Sequence, residues 1–204
     1  GEWTDRNADM SIMLHRDDQQ DIELGRAGPA ERRKAGVGFV PEERNGHAAI
    51  GEFSLSENAL LTTHHIRQAI RYDLVNDSFC HQFSEQVTSN FDVRLPAKNP
   101  QASQLSGGNL QKFVVGREIM KSPKLLVVSQ PTWGVDIGAA IFIRKAMLQL
   151  AEAGGAVIMI SQDLEEIFSI SHRIAVLNDG RLSQIYDAAS LTAQKVGLLM
   201  GGAE

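Results

Sequence analysis

Residues 124–136 read KLLVVSQPTWGVD. Leu125–Val128 is a short unbroken apolar run, the type that fills a strand of a parallel sheet buried on both faces. It ends in the polar pair Ser129-Gln130, followed by Pro131-Thr132 and a turn carrying Gly134 and Asp136. This is the shape of a strand that delivers catalytic groups to a nucleotide. The two acids such a strand would carry at its end, however, are replaced here by Ser129 and Gln130.

The flanking sequence supports a parallel sheet. A helical pattern from Gly138 to Ala153 stops at Gly154-Gly155, AVIMIS (Ala156–Ser161) reads as a second buried strand, and DLEEIFSIS as a short helix. RIAVL and RLSQIY flank Asn178-Asp179-Gly180, an Asp-Gly hairpin signal, and a last helix is expected over Ala188–Met200. Upstream, GVGFV (Gly36–Val40) reads as a buried strand stopped by Pro41, and Met10–Leu14 as a short strand. SLSENALL (Ser54–Leu61) opens a helical stretch with a Ser cap. Helical periodicity then continues to Lys121, with breaks near Asp73–Asn76 and Leu95–Ala102. The strand–helix alternation after Pro123 predicts an α/β fold with a parallel sheet covered by helices, and the helical block before it an inserted subdomain.

Composition narrows the function. With 204 residues, 43% hydrophobic and 22% charged, the chain can bury a sizeable core. A net charge of −5 and the absence of a dense Lys/Arg stripe argue against a nucleic-acid partner; the richest basic cluster, Arg32-Arg33-Lys34, is flanked by Glu31. Cys80 is the single cysteine, so no disulfide forms within the chain, which fits a reducing compartment. No apolar run approaches the ~20 residues of a membrane span, and the polar GEWTDRNADM start is not a signal peptide.

LSGGNLQK (Leu105–Lys112) is the most informative stretch. Ser-Gly-Gly at a helix start leaves backbone N–H groups uncovered, and the helix dipole adds positive charge there, which suits a phosphate. The same residues also read as an ordinary Ser N-cap followed by two flexible glycines.

Taken with KLLVVSQPTWGVD and AVIMISQDLEE downstream, LSGGNLQK resembles the signature motif, Walker B strand with D-loop, and switch region of the ATP-binding cassette (ABC) ATPases, in that order. The resemblance runs from about Gly36 to the C-terminus. It is closest to the second of two tandem cassettes in bacterial importers for simple sugars or nucleosides. Asn109, GREIMKSPKLL (Gly116–Leu126), VGFVPEER (Val37–Arg44) and LLMGG (Leu198–Gly202) carry that finer likeness. It implies a P-loop-type ABC cassette with ATP and Mg²⁺ in an assembled dimeric site, a partner nucleotide-binding cassette, and transmembrane permease subunits at the cytoplasmic face of the membrane. By position, Ser106, Gly107, Gly108 and Asn109 would form the signature that meets ATP held by the opposite cassette. Gly134, Val135 and Asp136 would form the D-loop. Ser129 falls where the family has its Mg²⁺-orienting Asp, Gln130 where it has the water-polarising Glu, Gln162 at the switch His, and Glu42 at or near the Q-loop Gln.

The departures decide the expectation. A Gln amide is not a useful base near neutral pH, Ser holds Mg²⁺ poorly, and Gln162 cannot protonate as His does. No G-x-x-x-x-G-K-[ST] phosphate loop occurs; the nearest string, GREIMKS, lacks the second Gly. In the family that loop precedes a turn like Gly1-Glu2-Trp3, so the resemblance implies a chain that starts just after it. The expected domains are 1–53, remnants of a β-subdomain and core; 54–121, the helical signature subdomain; and 122–204, the rest of the core with its C-terminal hairpin and helix. The expected function is a cassette segment that supplies its signature in trans and does not hydrolyse ATP itself. Alternatives are an active ATPase with unusual catalytic residues, or a non-transport ABC protein acting on nucleic acid or ribosomes.

Other residues take plainer readings. His64, His65 and His81 lack further ligands at metal-site spacing and read as surface or packing histidines. Glu165 and Glu166 read as the solvated face of a helix, Trp133 as a packing or interface aromatic. Glu42–Arg44 reads either as a surface salt-bridge run or as a contact with the transmembrane partner.

Overall fold

The computed structural model describes residues 27–202, Gly25, and two short strands ahead of them, β1 (Met13–Leu14) and β2 (Ile22–Glu23), which pair antiparallel. The start of the strand expected at Met10–Leu14 lies outside the described residues. Helix α1 (Pro29–Lys34) begins with Pro at its first position, where a missing N–H costs nothing. Strand β3 (Val37–Val40) follows it.

Three principal helices separate β3 from the next core strand. The first, α2 (Leu55–Thr63), starts at a capping box in which Ser54 Oγ accepts the Glu57 N–H while Glu57 Oε2 accepts the Ser54 N–H. The expected break at Asp73–Asn76 is a hairpin of β4 (Ile70–Arg71) and β5 (Leu74–Val75), whose turn residues Tyr72 and Asp73 both have positive φ, 53° and 60°. Then come α3 (Asp77–Asn90), capped by Asn76, and α4 (Gly107–Ile119), capped by Ser106. The core resumes with β6 (Leu125–Ser129), α5 (Ile137–Glu152), β7 (Ala156–Ile160) and α6 (Leu164–Ile170).

At the end of the chain, β8 (Arg173–Ile174) and β9 (Leu177–Asn178) run out, and β10 (Arg181–Leu182) and β11 (Tyr186–Asp187) return. β9 pairs with β10 around Asp179-Gly180, both at positive φ, and β8 pairs with β11. The expected terminal helix is split. Ala188–Ser190 forms a 3₁₀ turn and α7 (Ala193–Met200) follows from a Thr192 cap.

β3, β6 and β7 form a parallel sheet in that order, with β6 in the centre. The register sets its two faces. Gly38, Leu126 and Val157 stand in one row, and Val40, Val128 and Met159 in another, on the face covered by α4 and α5. Leu55, Phe83, Phe113, Val114, Ile143 and Met147 join them in one continuous apolar core. Phe39, Val127 and Ile158 share the opposite face, with Ser129 and Ile160 one row on. There Phe39 is 46%, Ile158 51% and Ile160 53% exposed, which corrects the expectation that β3 and β7 are buried strands. The physical reason is that helices cover only one face of the sheet among the described residues, so a fully apolar strand sequence still leaves every second side chain open. A smaller apolar cluster, Ile174, Val176, Leu191 and Val196, anchors the C-terminal strands on α6 and α7.

Candidate functional site

Ser106 caps α4. Its Oγ accepts the Asn109 backbone N–H at 3.4 Å and the Asn109 side-chain amide at 2.9 Å. Asn109 Oδ1 in turn accepts the Arg94 N–H at 2.9 Å. The first turn of α4 carries no acidic residue, so nothing in it opposes an anion.

The turn after β6 packs directly against this helix start. A β-carbon placed on Gly108 would stand 3.0 Å from Asp136 Oδ2, and one placed on Gly107 would stand 3.0 Å from Arg44 Nη1 and 3.8 Å from the Gly134 carbonyl. Gly108 is therefore needed for the close approach of the fixed Asp136 carboxylate, whereas at Gly107 the neighbour is the end of the flexible Arg44 side chain, which can give way. Asp136 is fixed by its own role as N-cap of α5, where Oδ1 accepts the Ala139 N–H at 2.9 Å. That hydrogen bond holds its carboxyl below the usual carboxylate range, so it stays ionised at neutral pH. Gly134, at φ 62°, occupies a left-handed position that favours glycine, and Arg44 Nη2 lies 3.5 Å from where its β-carbon would be. Burial pushes the Arg44 pKa down, and its guanidinium has no hydrogen bond or ion pair among the described residues. Gln111, one turn along α4 and buried, donates to the Pro131 carbonyl at 2.8 Å, so the helix is also tied to the end of β6.

The strand end is built differently. Gln130 is only 7% exposed and has φ 48°, while its N–H donates to the Ile160 carbonyl at 2.8 Å and its carbonyl accepts from Trp133. A neutral amide tolerates such burial at far lower cost than a carboxylate. Behind it, Glu166 is 1% exposed, accepting from Thr132 Oγ1 at 2.7 Å and Ser161 Oγ at 2.8 Å, with Arg144 Nε at 3.8 Å. This corrects the solvated-face expectation: Glu165 is exposed, but Glu166 turns inward because two hydroxyls and a guanidinium satisfy it there. Glu166 thereby joins the segment after β6 to the segment after β7.

The structure thus gathers Ser106, Gly107, Gly108, Asn109, Gly134 and Asp136 into one corner. Gln130 is buried at the strand end, Ser129 lies on the sheet face away from α4 and α5, and Gln162 and Glu42 are exposed. Trp133 is 67% exposed, so among the described residues it does not act as a packing residue. Sequence reasoning missed Arg44 as a neighbour of the helix start and Gln111 as a tether; neither has a local signal. At the corner of α4 the helix dipole and the Arg44 cation favour a phosphate, while the ionised Asp136 carboxylate beside Gly108 opposes one. Mg²⁺ does not fit the end of β6, where Ser129 and Gln130 offer no carboxylate.

The fold is that of an ATP-binding cassette ATPase. A dimeric cassette in a post-hydrolysis state with ADP and phosphate aligns over 82% of this chain and 70% of its own, with TM-score 0.67 and 20% identity. A nucleotide-free cassette from an ABC transporter aligns over 81% and 66%, with TM-score 0.63 and 19% identity. Among curated proteins, the chain is similar to the guanosine import ATP-binding protein NupO of Bacillus subtilis, 36% identical over 174 residues covering 85% of this chain and 34% of that protein. It is likewise similar to the nucleoside import ATP-binding protein NupA of Lactococcus lactis subsp. cremoris, 37% identical over 192 residues, 94% of this chain and 37% of that protein. A ribose import ATP-binding protein RbsA of the same subspecies is 35% identical over 174 residues, 85% of this chain and 35% of that protein. The chain therefore spans about a third of the length of these relatives. No protein-family model matches it.

Proposed function

We propose that this chain is the greater part of the second cassette in a tandem-cassette importer subunit for a nucleoside or simple sugar. In this reading residues 54–121 are its helical signature subdomain and residues 122–204 complete the core. The signature corner meets the terminal phosphate of ATP held by a partner cassette. The chain's own strand end does not hydrolyse ATP. The subunit works at the cytoplasmic face of the membrane against permease subunits; among the described residues no helix is long and apolar enough to cross a membrane. Span and naming of the relatives support the importer reading.

The observation that carries the proposal is the contrast between two corners of one cassette. The signature turn is complete and tightly packed on the D-loop, while β6 ends in a buried amide. Hydrolysis needs a group that orients water and accepts its proton or charge, and Gln130 supplies neither proton acceptance nor charge. The test is ATPase activity of the full-length subunit assembled with its permease, comparing wild type with Gly107→Asp. A carboxylate at that point repels the phosphate and displaces its donors, and turnover falls by on the order of 10²-fold or more. Wild-type turnover in the variant would remove this corner from the mechanism.

A further inference from the structure

Two consecutive residues at the start of the turn after β6 are gripped by different helices. The Pro131 carbonyl accepts from Gln111 Nε2 of α4 at 2.8 Å, and Thr132 Oγ1 donates to Glu166 Oε1 of α6 at 2.7 Å. Glu166 is itself held in place. Its other oxygen accepts from Ser161 Oγ at 2.8 Å, Ser161 Oγ accepts the Asp163 N–H at 3.1 Å, and Asp163 Oδ1 accepts the Glu166 N–H at 3.1 Å. These three bonds close a ring between the end of β7 and the first turn of α6. Arg144 Nε of α5, which has no hydrogen-bond partner among the described residues, lies 3.8 Å from Glu166 Oε1 and offsets its charge.

The far end of the turn is fixed separately, by Asp136 as the cap of α5. Between these two anchors little holds it. Trp133 is largely exposed and Gly134 has no side chain. The hydrogen bonds inside the turn, from the Trp133 N–H to the Gln130 carbonyl at 3.2 Å and from the Val135 N–H to the Thr132 carbonyl at 3.4 Å, are both long. The placing of Gly134 and Asp136 against Gly107 and Gly108 therefore follows from where the two anchors stand. We propose that Glu166 is a positioning residue: through Thr132 it ties the entry of the D-loop to the ring at α6, and so keeps the D-loop seated on the signature turn while ATP in the partner cassette is hydrolysed. This rests on the assignment of the signature corner given above. It requires no chemistry at Gln130.

The test uses the full-length subunit assembled with its permease, as wild type, Thr132→Val, Thr132→Ser and Glu166→Gln. It reads kcat, KM for ATP, and hydrogen exchange at the Trp133 and Val135 amides. Thr132→Val keeps the shape and removes the hydroxyl, while Thr132→Ser keeps the hydroxyl. Glu166→Gln keeps the bridge without the charge: its carbonyl can accept from Ser161 while its amide donates to Thr132 Oγ1, which accepts from no other group among the described residues. In Thr132→Val, kcat is expected to fall on the order of 10-fold with KM unchanged, and both amides to exchange on the order of 10-fold faster. Thr132→Ser and Glu166→Gln should keep wild-type turnover and exchange. Unchanged exchange in Thr132→Val would overturn the inference, because the bridge would then not hold the turn. So would faster exchange with unchanged kcat, a loss carried by KM, or equal losses in all three variants, which mark a general structural role. Gly107→Asp measured in parallel separates the two claims. If it leaves turnover intact, the assignment of the corner fails; if it abolishes turnover while Thr132→Val keeps its kcat, only the role of Glu166 fails.

Discussion

Replacing Glu118 by Gln removes one negative charge from the most heavily charged buried point of the described structure. Glu118 is 0% exposed, with Lys121 Nζ at 2.7 Å, Arg33 Nη1 at 3.4 Å, Arg117 Nε at 3.5 Å, and the Phe39 N–H at 3.4 Å. Burial pushes its pKa up, but Lys121, Arg117 and Arg33 together outweigh burial and hold it low. Gln keeps the shape and leaves three cations facing one another. Breaking a buried ion cluster from one side costs about 3–5 kcal/mol. Relief limits the loss to the lower end, because burial has already brought Lys121 down to about 8 and it can shed its proton once the carboxylate is gone. A loss of about 3 kcal/mol lowers Tm by roughly 6–12 °C in a chain of this size. The sign with pH follows. A carboxylate whose pKa is lower when folded contributes its stability in full above its unfolded pKa, and loses it as pH falls through the folded value. Thermal melts of wild type and Glu118→Gln should therefore differ fully at pH 7 and converge in acid, below about pH 4. Equal melting temperatures at neutral pH, or a gap that stays constant into acid, would refute this reasoning.

Three further outcomes are expected. A β-carbon on Gly116 would stand 2.6 Å from Phe91 Cγ and 2.7 Å from Cδ2, so in denaturant melts Gly116→Ala should lose about 1–2 kcal/mol even after the helix-propensity gain. Ser129→Asp combined with Gln130→Glu should release no phosphate in this chain, since the sequence holds no phosphate loop and position 130 is buried at positive φ; turnover there would reveal a phosphate cradle elsewhere. Gly107→Asp should leave Tm unchanged or slightly raised, because its carboxylate meets both the α4 dipole and the Arg44 guanidinium, each contributing up to about 1 kcal/mol. A fall of Tm in that variant would mean that lost turnover reports misfolding.

Much of the fold was legible because its elements carry local signals. LLVVS and AVIMI are unbroken apolar runs at parallel-strand length, Asp179-Gly180 is a turn that side-chain chemistry favours, and Ser54 and Ser106 mark helix starts by hydrogen bonds reaching only three residues ahead. The sequence did not reveal what distant partners decide. The inward turn of Glu166 depends on Thr132, 34 residues away, and the place of Arg44 on Gly107 and Gly134. The Tyr72-Asp73 hairpin was hidden because tyrosine has no preference for positive φ and so gives no turn signal in the sequence. Ser106, Gly107, Gly108 and Asp136, singled out by motif spacing, lie together in the structure. The sequence also showed that Gln130 lacks the chemistry of an acid. It could not show that the residue is buried in the left-handed region, which is a property of the folded strand end.

The strand end at Gln130 is proposed to take no part in hydrolysis. The most direct measurement is steady-state turnover of the full-length subunit, assembled with its permease, in wild type and Gln130→Ala. Equal turnover is expected. A loss of the 10²–10⁴-fold size that follows removal of a general base would contradict it and make Gln130 a working catalytic residue.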